Sequence, residues 1–261
     1  MGNSLFLKVD AWIICLTLLV LMPLIVKWGN GMRKKFWGPE DTDTRGGINS
    51  LMGALFGLWG FMLAFSFGQS GVRFENLRSM IVDESNDLRN AILRTDFFPD
   101  SIRNVYRVEL RKYLEERIAY YDNGGGDLTP GKSKETLPST TDQLWALTVT
   151  LSKRPDTHNP ADDMTGALIR LFDISAKREA LLNAGIPSPV SIALILLVLS
   201  ICFVGGFTTP VIQKKEWIVV CVFSFLAAMI LYITIDLARP MEGLIRPDAG
   251  EAGIVGLRRL F

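Results

Sequence analysis

The amino-acid sequence predicts an all-α membrane protein, with four transmembrane helices and a helical extramembrane domain inserted between spans 2 and 3. Hydrophobic residues make up 49% of the 261 residues. They are concentrated in four blocks, each long enough to cross the apolar core of a bilayer. The rest of the sequence is more charged, and its apolar residues recur at helical spacing. No long stretch alternates apolar and polar residues as a half-buried strand would.

The first predicted span covers residues 9–28, with Asp10 and Lys27 near its ends and Pro23 in its last turn. A helix of this length covers about 30 Å, which matches the hydrocarbon thickness of a bilayer. A cleaved signal peptide is the alternative. However, the region before the block carries a single lysine, Lys8, and no small-x-small cleavage pattern follows the block. We therefore interpret this segment as an uncleaved span.

Three further apolar blocks predict the remaining spans, at residues 48–68, 189–207 and 217–237. None carries a charged side chain at mid-depth, which disfavours a proton-coupled pump or antiporter. Four spans place both termini on the same membrane face as the long loop. Lysine and arginine near the span ends are somewhat more frequent on that face, which predicts a cytoplasmic location for it. The basic cluster after the first span opposes this assignment.

The long loop, residues 69–188, is predicted to form the helical domain, and residues 238–261 form a C-terminal tail. The first helix of the domain is expected to continue the second span, because an apolar stripe recurs at helical spacing. That stripe consists of Phe74, Leu77, Ile81, Leu88 and Ile92. Pro99 ends this helix, and Asp100 or Ser101 can cap the second. Ser139 is expected to begin a third, and a fourth is expected after Pro160.

Paired carboxylates occur twice in this domain, at Asp83-Glu84 and at Asp162-Asp163. Acid–base chemistry would require a partner group within hydrogen-bonding reach, and the sequence offers no such base nearby. We therefore expect all four side chains on solvated helix surfaces.

One segment, Gly126–Ser133, matches the phosphate-loop pattern G-x-x-x-x-G-K-[ST] letter for letter. A working phosphate loop follows a buried strand and leads directly into a helix. Here a charged amphipathic helix precedes the segment and Glu135-Thr-Leu-Pro138 follows it. We interpret the match as a chance feature of a glycine-rich linker.

Composition gives no sign of a catalytic or metal site. The three cysteines lie inside apolar blocks, where thiols behave as small hydrophobes, and the one histidine is His158. The net charge of +1 provides no electrostatic attraction for nucleic acid. We predict no catalytic residue, no cofactor, no metal and no nucleic-acid partner, and therefore no enzyme.

The second span carries the candidate functional residues. Small residues spaced at three and four line one face, which predicts close helix packing: Gly53, Gly57, Gly60, Ala64 and Gly68. A neighbouring face carries Phe61 and Phe65, with Gly57 before them and Gln69 after them. Aromatic rings at this spacing form a hydrophobic constriction when several copies surround an axis. The same rings are equally compatible with lipid-facing or core positions.

Three stretches resemble the bestrophin-like family of bacterial membrane proteins. They are Gly60–Gly68 leading into Arg73-Phe74 and Val82–Asn86, then Asp173–Arg178 followed by Gly185–Pro187, and last Asp236–Pro240 with Glu242–Pro247. The resemblance implies a multi-pass protein of the bacterial inner membrane. Bestrophins proper are pentameric anion channels whose second span lines a hydrophobic neck, and Phe61 and Phe65 are similar to those neck aromatics in type and spacing. No acidic cluster like the calcium site of animal bestrophins is present.

The leading hypothesis is therefore a homo-oligomeric channel for inorganic anions, embedded in the lipid bilayer, with its neck in the second span. The alternative is a non-conducting scaffold or signalling protein whose helical domain binds a cytosolic partner. A membrane enzyme ranks third, because no Ser/His/Asp or metal constellation accompanies the membrane segments. The state of assembly separates the first two hypotheses, since a monomer or a dimer offers no obvious central pore.

Overall fold

The computed structural model describes residues 11–36, 43–122, 139–183, 188–209, 214–238 and 248–261. Every regular element within these ranges is helical, which confirms the all-α prediction. The α-helices are α1 (Ala11–Phe36), α2 (Asp43–Arg94), α3 (Asp100–Asp122), α4 (Thr140–Ser152), α5 (His158–Asn183), α6 (Ser188–Thr208), α7 (Lys214–Leu237) and α8 (Asp248–Gly256). Short 3-10 turns follow α2 at Thr95–Phe97 and α8 at Leu257–Leu260.

Four helices are long and apolar enough to cross a membrane, as predicted. The qualifying segments are Ala11–Lys35, Gly47–Phe97, Pro189–Thr208 and Lys214–Leu237. The α2 helix is 52 residues long, so the second span and the first helix of the domain are one helix. From Gly47 to Val72 this helix carries no charged side chain.

The chain divides into two compact units. We call the first the membrane unit (Met1–Val72 and Gly185–Ala238) and the second the helical domain (Arg73–Ala184 and Arg239–Phe261). Each unit has its own apolar core. Removal of apolar surface from water drives the packing of the domain, whereas helices in lipid associate mainly through close van der Waals contact.

Close approach of α1 and α6 organises the membrane unit. A side chain on Gly29 would collide with the backbone of Phe203, and one on Gly206 would collide with the backbone of Val26. The amide of Asn30 donates to the carbonyl oxygens of Gly206 and Thr209 at the same contact. Buried apolar residues from α1, α2, α6 and α7 complete the core, including Met22, Leu63, Val198 and Leu231.

The helical domain is built on the predicted stripe of α2, of which Leu77, Ile81, Leu88 and Ile92 are fully buried. Ser139 caps α4 as expected, in a reciprocal capping box with Asp142. The α5 helix starts at His158 rather than after Pro160, because proline is tolerated in a first turn, where its missing N–H has no intrahelical acceptor.

The C-terminal segment contributes to this domain rather than forming a simple tail. Ile254 of α8 and Leu257 of the following turn are buried in the domain core. Arg258 donates two hydrogen bonds to the carboxylate of Glu115 on α3. Residues 239–247, which connect α7 to this segment, lie outside the described residues.

Candidate pore-lining face

The membrane part of α2 has a packed face and an exposed face. Trp59, Leu63, Ser66 and Ser70 recur at helical spacing and are buried against the rest of the membrane unit. Because 3.6 residues make one turn, the residues about two positions away from each of these lie on the opposite side of the helix. That opposite side is the exposed face.

The predicted neck residues all lie on the exposed face. Phe61 is 71% exposed and Phe65 is 60% exposed. Gly57 precedes them by one turn and Gln69 follows by one turn, and both are exposed. The helix therefore brings the four candidates to one side, as the sequence predicted, with Phe61 and Phe65 about one turn apart.

The small residues share this exposure. A Cβ atom added to Gly53, Gly57, Gly60 or Gly68 would meet no atom within 4 Å among the described residues, and Ala64 is exposed as well. These residues therefore make no close helix contact within the described part of the chain, whereas Gly29 and Gly206 lie directly against backbone atoms. Their role in packing between copies stays a prediction.

The exposed face of α7 differs from that of α2 in composition. The outward residues of α7 are large: Ile218, Val219, Val222, Phe225, Leu226, Met229 and Ile230. Side chains of this kind cover a helix backbone against lipid. The α2 helix also exposes large residues such as Leu58, but four glycines and Ala64 lie between them. Small residues at this spacing favour a neighbouring helix over lipid, because they allow close approach.

The helical domain contains a buried ionic cluster centred on Glu84, whose side chain is 1% exposed. The Nε atoms of Arg117 and Arg178 lie 3.1 Å and 3.3 Å from its two carboxylate oxygens. The hydroxyls of Tyr113 and Tyr121 donate to the same oxygens at 3.2 Å and 3.0 Å. The expectation that Glu84 is a surface charge was therefore wrong, whereas Asp83, Asp162 and Asp163 are exposed as expected.

Aromatic rings enclose the two guanidinium groups of this cluster. Arg178 lies 4.9 Å from the ring centre of Tyr120 and 5.2 Å from that of Tyr121, and Arg117 lies 5.0 Å from that of Tyr113. Burial raises the pKa of Tyr113 and of Tyr121, and the negative charge of Glu84 raises both further. Two phenol hydroxyls and two guanidinium groups surround the buried carboxylate, so the cluster is suited to holding α2, α3 and α5 together.

The signal for this cluster was present in the sequence. Glu84 lies three residues after Ile81 and four before Leu88, so it falls within the buried stripe of α2. Arg178 lies seven residues after Leu171 on the buried side of α5. A charge inside an apolar stripe indicates a buried partner, since an isolated buried charge is strongly unfavourable.

No group of three or more metal-binding side chains occurs among the residues that the structure describes. The phosphate-loop match at Gly126–Ser133 and the linker around it lie outside the described residues. The exposed face of α2 therefore remains the candidate functional site. It carries the predicted neck residues, and its glycines have no other described residue packed against them.

Comparison with protein families matches residues 19–246 to a model described as a bestrophin-like domain. The match includes three of the four apolar helices in full, the first from residue 19 onward, and most of the helical domain. Searches of the curated proteins and of the solved structures gave no match.

Proposed function

The chain belongs to the bestrophin-like family, and from that premise we propose that it forms a homo-oligomeric ion channel with its neck on the exposed face of α2. The observation that carries the proposal is the composition of this face, on which Phe61 and Phe65 are exposed beside glycines with open space around them. Such a face is incomplete in one chain and becomes complete when copies of α2 surround a common axis.

The two kinds of residue have separate roles in this proposal. Glycines on α2 let neighbouring copies approach closely, as small residues do in membrane helix pairs. The rings of Phe61 and Phe65 point toward the axis and form two apolar constrictions one turn apart. Such a constriction conducts only when water fills it, so the width and the apolar character of the neck control the current.

Selectivity, stoichiometry and orientation extend the same proposal. Passage of anions and a ring of five subunits follow from the resemblance to bestrophins. The uncharged segment from Gly47 to Val72 offers no carboxylate that would repel anions. We place the protein in the bacterial inner membrane with the helical domain in the cytoplasm, and a reporter inserted at Gly124–Gly126 tests that side. Reporter activity in the periplasm would reverse the orientation.

The test is chloride flux through the purified protein in liposomes, recorded together with the subunit count in nanodiscs. We expect the double substitution Phe61→Ala/Phe65→Ala to raise the flux at least about tenfold, because a wider neck fills with water more easily. Phe225→Ala is the matched control, since Phe225 is 57% exposed on α7 and lies outside the proposed neck. Its flux should equal that of the unmodified protein.

Three other results bear on the proposal. Equal flux in the neck variant and the unmodified protein would remove Phe61 and Phe65 from the conduction path. A silent protein that is monomeric or dimeric would favour the scaffold or signalling function instead. Flux that changes equally in Phe225→Ala would show a general effect of aromatic residues on folding rather than a neck.

A further inference from the structure

A small cavity lies within the membrane unit, where α2, α6 and α7 meet. It offers about 10 Å³ to the centre of a water-sized molecule, which is about the space that a single water needs. Each of the three helices contributes one hydroxyl to its wall, and the other lining side chains are apolar. The lining residues are Ser66, Ser191, Leu194, Ile195, Leu231, Thr234 and Ile235. The cavity therefore combines room for one small molecule with three groups that can form hydrogen bonds to it.

The hydroxyl of Ser66 has no hydrogen-bond partner among the described residues, although Ser66 is only 4% exposed. A serine or threonine hydroxyl inside a helix commonly donates to the carbonyl oxygen four residues earlier. Six hydroxyls of the membrane unit do so, at Thr17, Ser70, Ser200, Thr208, Thr209 and Thr234. Because Ser66 departs from this pattern and lines the cavity, its hydroxyl is available to a partner there.

The other two hydroxyls of the wall can complete the hydrogen bonding of one water. The Thr234 hydroxyl donates to the carbonyl oxygen of Ile230 at 2.8 Å, and its oxygen keeps the capacity to accept. The Ser191 hydroxyl can donate or accept, because it rotates to suit its partner. The seven lining side chains are uncharged, and a buried ion without a charged partner is strongly unfavourable. A neutral molecule that both donates and accepts therefore fits the cavity better than an ion.

We propose that this cavity binds one water molecule, which accepts a hydrogen bond from Ser66 and donates to Thr234 and Ser191. Buried water typically makes about three hydrogen bonds of this kind to groups that would otherwise lack partners. The water links α2 to α6 and α7. Ser66 follows Phe65 in the sequence and lies on the packed side of α2. In the channel proposed above, on which this part of the inference rests, the water therefore anchors α2 at the level of the neck.

The experiment is equilibrium unfolding of the full-length protein in mixed micelles, with Ser66→Ala and Thr234→Val made singly and together. Each single change removes one hydrogen bond to the water and should lower the folding equilibrium constant about fivefold. The double change should also lower it about fivefold, because both changes act on the same water. Ser200→Ala is the matched control, since its hydroxyl donates to Leu196 and lies outside the cavity. Its effect should multiply with that of Ser66→Ala.

A cavity without water predicts the opposite sign for Ser66→Ala. The change would then remove a buried hydroxyl that has no partner, and the protein should become more stable. Three results would therefore overturn the proposal. One is a stabilised Ser66→Ala, and another is a double variant whose loss is the full product of the single losses, about 25-fold. The third is a stability of the unmodified protein that changes when potassium replaces sodium at equal ionic strength, which would assign the cavity to a cation.

Chloride flux in liposomes tests the role of the water at the neck separately. A neck helix that has lost its anchor widens more easily, so Ser66→Ala should raise the flux about threefold while Ser200→Ala leaves it unchanged. Equal flux in Ser66→Ala and the unmodified protein would reject this role. A silent protein whose unfolding still shows one shared water would reject the proposed channel and support the water site.

Discussion

The membrane unit and the helical domain bring their helices together in opposite ways. In the membrane unit, α1 and α6 approach through Gly29 and Gly206, where any side chain would meet backbone atoms. In the helical domain, α2, α3 and α5 enclose the carboxylate of Glu84, with two guanidinium groups and two phenols as its partners. One contact depends on the absence of side chains and the other on large, charged ones.

The difference follows from the two solvents. In lipid, an apolar side chain gains little by leaving its surroundings, so helices gain most from close backbone approach. In water, burial of apolar surface supplies the driving force, and a charge inside the core is tolerated when its partners are also buried. Substitutions at these contacts test the comparison, and we give them in order of decreasing expected effect.

Glu84→Ala should cause the largest loss. It leaves the buried Arg178 without its carboxylate partner, which typically costs about 3–5 kcal/mol. The neighbouring Asp83 is exposed, so Asp83→Ala should change stability by less than about 0.5 kcal/mol. Hydrogen exchange of α3 amides in the full-length protein measures the free energy of opening. Equal protection in the two variants would mean that the ionic cluster does not hold the domain together.

Gly206→Val should be next. The added side chain collides with the backbone of Val26, and overpacking of this kind costs about 1–3 kcal/mol. Gly57→Val adds the same atoms in open space and should leave the fold of the single chain intact while weakening association between copies. Thermal unfolding in detergent, together with the particle mass, separates the two effects. A loss of fold in Gly57→Val would show that this glycine has a contact within the chain.

Alkaline pH should weaken the helical domain by a smaller amount. Burial raises the pKa of Tyr106 to about 12, and its hydroxyl shares a 2.8 Å hydrogen bond with Thr148. Because the folded-state pKa is the higher one, this stabilisation is complete below about pH 10 and is lost as the pH rises through about 12. At pH 11 the loss from Tyr106 alone is about 1.4 kcal/mol.

Tyr106→Phe is the corresponding control, since it removes the titrating group. At pH 8 this variant should be less stable than the unmodified protein, because it lacks the hydrogen bond to Thr148. Between pH 8 and pH 11 its stability should fall less than that of the unmodified protein. Identical slopes of stability against pH in the two proteins would contradict the assignment to Tyr106. Hydrogen exchange across the same pH range, corrected for the intrinsic rate, gives both slopes.

Arg258→Gln should have the smallest effect. The hydrogen bonds from Arg258 lower the pKa of Glu115, so this contact is present above about pH 4 and is lost as the pH falls through that lowered value. Both side chains are largely exposed, and water screens such pairs. Exchange of the α8 amides should accelerate by less than about fivefold, with Arg259→Gln as the control. A larger change would assign α8 docking to this pair rather than to Ile254 and Leu257.

Much of the fold could be predicted from the sequence because helical periodicity is a local signal. The stripe from Leu77 to Ile92, the cap at Ser139 and the apolar spans are all visible within short windows. The partners of Glu84 could not be identified in this way, since Arg117 and Arg178 are distant in sequence and only the tertiary fold brings them together. The burial of Ile254 and Leu257 was missed for the same reason.

For the candidate site, too, the local features could be predicted from the sequence and the tertiary contacts could not. The spacing of Phe61, Phe65 and the glycines predicted that they share a side of α2, which is a property of one helix. Which way that side faces depends on where Trp59 and Leu63 pack, and this required the structure.

The uncharged α2 segment has an electrical consequence. A membrane potential does work only on charge that moves through the field, about 2.3 kcal/mol per elementary charge for 100 mV. Between Gly47 and Val72 there is no charged side chain, so rotation or tilting of this α2 segment moves no side-chain charge through the field. In a channel gated by movement of this segment alone, the open probability should therefore be the same at positive and negative potentials, and single-channel recordings at about −100 and +100 mV measure it directly.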